Sequence, residues 1–133
     1  MRGVSTPEHT PEIEFEIEKG YSVRERQVTH YYVVYNGKVI GHYQPLRHNY
    51  LIKVPADSII VKTYMSTRAG FYVWIFDVFG NIKNTWSSIK DSVKDLERMC
   101  KKYNIPIKEI PDLHSWIYPY IYSGDFDLAG DIV

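Results

Sequence analysis

One cysteine, Cys100, stands in 133 residues, which excludes an internal disulfide and any zinc site built from thiolates. No apolar run reaches the roughly eighteen residues that a membrane-spanning helix needs. The first residues, MRGVSTPEHTPE, have no apolar core of the kind a secretory signal requires. A reducing, cytoplasmic location is the expectation that follows. Glutamine occurs only twice, a scarcity compatible with a thermophilic source. Catalytic signatures are missing as well. There is no glycine-rich phosphate loop, Gly-x-Ser-x-Gly, His-x-x-x-His, His-Glu-x-x-His or Cys-x-x-Cys. Neither a metal nor a cofactor is expected from motifs, and the sequence points away from an enzyme.

Charge of one sign is missing overall but not locally. Residues 1–20 carry two basic and five acidic side chains (−3), residues 21–110 fourteen and seven (+7), and residues 111–133 none and four (−4). A basic body lies between acidic ends. The ends either neutralise the body by lying on it or leave it to meet an anionic partner.

What the chain has in quantity is apolar and aromatic surface, 44% and 15% of its residues, with twelve tyrosines. Phe71-Tyr72-Val73-Trp74-Ile75-Phe76-Asp77-Val78-Phe79, bounded by Gly70 and Gly80, is apolar on both alternating faces. That predicts a central strand covered on two sides. Ile13 to Glu18 alternates strictly and predicts a half-buried strand, with Glu12, Glu14, Glu16 and Glu18 outward. Four like charges in a row call for a basic neighbour, unless they only guard an edge.

Asn36-Gly37 joins two strand-like runs and predicts a two-residue hairpin. Unbroken pairing from that turn sets Val33 against Ile40, Tyr32 against Gly41 and Tyr31 against His42. His30 and His42 then point to opposite faces and cannot act together. Tyr50–Val54 and Ile59–Met65 read as further strands, with links too short for the crossovers of a parallel sheet. Gly80 and Asn81 end the sheet run. Ile89, Val93, Leu96, Met99 and Tyr103 line one face of a helix over about 88–103, with Ser87 or Ser88 as N-cap, Asn104 as terminator and Pro106 beyond it. Ile105 to Ile110 suggests a short edge strand, and Pro119 forbids a central strand in the tail.

The expected fold is therefore one α+β domain. After a flexible lead-in at 1–11, residues 12–133 hold a meandering antiparallel β-sheet of about five or six strands over 12–79. One amphipathic α-helix packs on it, followed by an aromatic, acidic C-terminal segment over 111–133.

Basic and aromatic residues interleave along the sheet and its loops. This suits a non-enzymatic protein that binds single-stranded nucleic acid, with cations on phosphates and rings on bases. The candidates are Arg47, Lys53, Lys62 and Arg68 for phosphate, with Tyr50 and Tyr64 for stacking. A second reading is a homo-oligomeric module, a dimer in its simplest form, that docks through Trp116, Tyr118, Tyr120 and Tyr122. A third is a small nuclease centred on a histidine or on Asp77, the one carboxylate inside the apolar strand. Asp77 reads more simply as a residue at the strand's outer end, and Cys100 as core.

Overall fold

A computed structural model describes residues 10–22, 27–66 and 70–121. Nine strands come first: β1 (Glu12–Ile17), β2 (Tyr21–Ser22), β3 (Gln27–Val28), β4 (His30–Tyr35), β5 (Lys38–Tyr43), β6 (Tyr50–Pro55), β7 (Ile59–Ser66), β8 (Gly70–Asp77) and β9 (Lys83–Ser87). Two helices follow, α1 (Val93–Lys102) and α2 (Pro111–Ile121), with a 3-10 turn at Ile107–Glu109 between them. All pairings among the described strands are antiparallel. The α+β class is as expected.

The layout departs from a simple meander. The main sheet runs β5-β4-β7-β8-β9, and β6 leaves it to pair with β1 as a separate two-stranded ribbon. The five-stranded sheet is covered by the helices on one face and by this ribbon on the other. Leu96, Cys100, Ile107, Ile110, Leu113, Trp116 and Ile117 pack from the helical side on Tyr32, Val34, Val61, Val73, Ile75 and Trp86. Ile17 and Val54 of the ribbon pack on Tyr31, Val33 and Ile60, with Phe15 and Phe76 beside them. The expected two-sided cover of residues 71–79 holds only in part. Val73 and Ile75 face the helices and Phe76 faces the ribbon, but Tyr72 and Trp74 stay partly exposed, the strand ends at Asp77, and Phe79 is 62% exposed. The middle strand is nevertheless β7; β8 lies one place further out.

Four local expectations are corrected. The sheet does not end at Asn81: Asp77 Oδ1 accepts from Asn81 N at 2.7 Å, which turns the chain back into β9. Asp77 is thus a turn former at the strand's end. The helix begins at Val93, where Ser92 caps it by accepting from Lys94 N at 3.2 Å, and Ile89 is left 62% exposed before it. Its other end is as read from the sequence. Asn104 takes φ 58°, and Ile105 N donates to Cys100 O at 2.8 Å, closing the last turn.

Residues 107–109 form a 3-10 turn instead of a strand, and the tail from Pro111 is a helix. Leu113, Trp116 and Ile117 fall at helical spacing and are buried. Pro111 suits a first turn, and Pro119 comes so late that only two residues of α2 follow it. No helix among the described residues is long and apolar enough to cross a membrane.

The largest consequence lies in the hairpin. The turn itself forms, with Asn36 at φ 52° and Gly37 at φ 77°. Pairing then slips by one residue: Val34 opposes Val39, but Val33 opposes Gly41, Tyr32 opposes His42 and Tyr31 opposes Tyr43. Ile40 is the extra residue of a β-bulge and is 51% exposed. Every side chain beyond it changes face.

Candidate functional site: a cation–aromatic row and a histidine pair

From the edge of the ribbon outward, its face of the main sheet carries two adjacent rows of side chains, the first starting at Tyr31, which the ribbon buries to 3% exposure. Strand register sets Tyr31, Lys62, Trp74 and Thr85 side by side across β4, β7, β8 and β9. The next row is Tyr64, Tyr72 and Ser87. Lys62 Nζ lies 4.9 Å from the centre of the Trp74 ring and 5.4 Å from that of Tyr31, so the ammonium sits between two π-faces. Trp74 and Tyr72 stack with centroids 6.0 Å apart and planes 25° apart. Both rings are partly exposed, as is Tyr64.

Burial lowers the pKa of the Lys62 ammonium, and the Glu18 carboxylate opposes that shift. Burial raises the Tyr31 hydroxyl, the backbone hydrogen bond from Glu18 lowers it, and the Glu18 charge raises it again. Chemically the row offers flat apolar faces with one cation among them. That combination accepts a planar ring and an adjacent negative charge.

Of the residues expected to contact nucleic acid, the fold brings only Lys62 and Tyr64 together. Lys53 lies on the ribbon directly across from Glu14, so the acidic first strand has one of its cations there. Tyr50 is 41% exposed and meets Tyr43 edge-on at 6.5 Å. Arg47 is exposed in the link between β5 and β6. Arg68 and Tyr122 lie outside the described residues. Trp116 is buried in the helical core, while Tyr118 and Tyr120 are exposed on α2. Tyr31, Tyr72 and Trp74 were not anticipated as site residues, although the alternation of 72 and 74 against 73 and 75 carried the signal.

A second cluster lies on the helical face, at the far end of β4 and β5, where the slipped register places it. His30 Nδ1 is 2.8 Å from His42 Nε2 and 3.3 Å from Gln44 Nε2. The His42 ring stacks on Tyr32 at 4.4 Å, with planes 6° apart. Thr63, the register partner of His30 on β7, donates through Oγ1 to Asp112 Oδ2 at 2.9 Å, so the first turn of α2 closes the cluster. Burial, reinforced by the Asp112 charge, pushes the Tyr32 hydroxyl up to about 12. Burial and then His30 lower the His42 imidazole, against the pull of Asp112.

The sequence reading that separated the two histidines is overturned by the bulge. Gly41 was its signal, since a lone glycine within a strand pattern marks a bulge. A Cβ there would lie 2.9 Å from Cε2 of Tyr43, whose ring closes over the gap.

Cys100 belongs to the core, as expected. It is 1% exposed, and burial raises its thiol pKa. Comparison with protein-family models, curated proteins and solved structures found no match.

Proposed function

We propose that this protein binds single-stranded nucleic acid on the row formed by Tyr31, Lys62, Tyr72 and Trp74. The observation that carries the reading is the Lys62 ammonium held between the Tyr31 and Trp74 rings, beside the Trp74–Tyr72 stack, on a sheet face that the ribbon leaves partly open. Bases stack on Trp74 and Tyr72 while Lys62 meets a phosphate. Stacking of one base on such a ring contributes about 1–3 kcal/mol, and each neutralised phosphate adds about 0.7 to the salt slope for a single strand. A duplex keeps its bases from such a surface, so single strands are the preferred form.

The test is a fluorescence titration with short single-stranded oligonucleotides and a duplex control at several salt concentrations. Trp86 and Trp116 are 3% and 6% exposed, so quenching by a stacked base reports on Trp74. Single strands should bind more tightly than duplex. Trp74→Leu should weaken binding at least about tenfold, in line with the loss of one stacked base. Lys62→Met should lower the salt slope by about 0.7, the share of one phosphate contact on a single strand. Absence of binding at low salt, or unchanged affinity in both variants, would remove this reading.

A further inference from the structure

We infer that His30 and His42 form a binding site for a borderline divalent transition-metal ion of the copper, nickel and zinc group. The site is on the opposite face of the sheet from the aromatic row and goes beyond the nucleic-acid reading. Three side chains that can ligate a metal are adjacent: His30 Nδ1 lies 2.8 Å from His42 Nε2 and 3.3 Å from Gln44 Nε2. Imidazole is the preferred side-chain ligand of these ions, with bonds of roughly 2.0–2.1 Å. Two nitrogens bound at a right angle on such an ion stand about 2.9 Å apart, so the pair already has the spacing of adjacent ligands. An ion takes the place of the proton the rings share once each ring turns by about 45°, so that both nitrogens point to one side of the line joining them. Turning the Gln44 amide presents its oxygen as a third donor.

One carboxylate faces the pair, and it partly offsets the cost that burial sets on a charge there. The Asp112 carboxylate acts on His42 from the first turn of α2. Stacking on Tyr32, which is 3% exposed, limits the freedom of the His42 ring, so less order is lost on binding. No group of three or more His, Cys, Asp or Glu among the described residues is placed to hold a metal, so the remaining positions on the ion are filled by water. A right-angled pair of nitrogens with oxygen donors suits Cu(II) and Ni(II), and Cu(II) binds most tightly in the usual order of stability.

The experiment is calorimetric titration of the full chain with CuCl2 and with NiCl2, paired with electron paramagnetic resonance of the copper-loaded protein. One ion per chain is expected, Cu(II) tighter than Ni(II), with two imidazole nitrogens in the copper spectrum. His30→Ala and His42→Ala should each weaken binding at least tenfold while circular dichroism shows the fold retained. His48→Ala, in the exposed link before β6, should leave it unchanged. Binding that survives both substitutions in folded protein, or that His48→Ala weakens as much, would overturn the site. So would a copper spectrum without two imidazole nitrogens. None of these outcomes depends on oligonucleotide binding, so the two proposals fail separately.

Discussion

The two faces of the five-stranded sheet are built from the same strands and end in different states. Against the helices, Val61, Val73, Ile75, Leu96, Ile110, Leu113 and Ile117 reach 0% exposure. Against the ribbon, burial is complete only around Ile17, Val33, Val54 and Ile60, and the cover stops before Lys62, Tyr64, Tyr72 and Trp74. Two helices and a 3-10 turn span the sheet; a ribbon of two six-residue strands does not. One face is therefore sealed, and the other leaves rings and a cation only partly covered among the described residues.

The largest blow to that division should come from the sealed face. Leu113→Ala, at 0% exposure between α2 and the sheet, should cost about 3 kcal/mol in chemical denaturation. A loss below about 1 kcal/mol would mean that the helical layer is not the main support. Gly37→Ala strikes the hairpin that serves both faces. The residue has φ 77°, and a Cβ would lie 2.8 Å from Asn104 Nδ2, so a loss of about 1–2 kcal/mol is expected.

Trp74→Leu should cost less than about 1.5 kcal/mol, since it keeps apolar cover on a partly exposed strand position. Loss of oligonucleotide affinity with little loss of stability is the separation that the comparison requires. If binding and stability fall together, the open face is also a structural one.

Lys62→Met gives the smallest effect on stability and sharpens the picture through pH. Burial holds the folded-state value of Lys62 below 10.5, so the unfolded chain binds more protons in the window between the two. Stability attributable to this group rises as pH increases from the folded value towards 10.5. Removing the amine should flatten that alkaline rise and leave stability at neutral pH unchanged or slightly higher. A rise of the same size in Lys62→Met would locate it elsewhere.

Much of the fold was legible because the cues were local. Strict alternation marks β1, two positive-φ residues mark the turn at 36–37, and Asn104 marks the end of α1. The tail was misread because Pro119 was weighed as a strand breaker, while Leu113, Trp116 and Ile117 already had helical spacing. β9 was missed because Lys83-Asn84-Thr85 has no apolar alternation. It is held in place by β8 and by Trp86, whose Nε1 donates to Asp95 Oδ2 at 2.8 Å.

By itself, the sequence determined the class: antiparallel strands with short links, a capped amphipathic helix, and a strand apolar on both sides. Tertiary structure alone decided which side chains meet. Strand order is set by which long-range pairings bury the most apolar surface, and this sent β6 out of the main sheet to β1. Pairing beyond a turn depends on whether every residue stays in step, and one extra residue at Ile40 reverses the face of all that follow it. That reversal, which no count of alternating residues contains, is what put His30 and His42 on the same side.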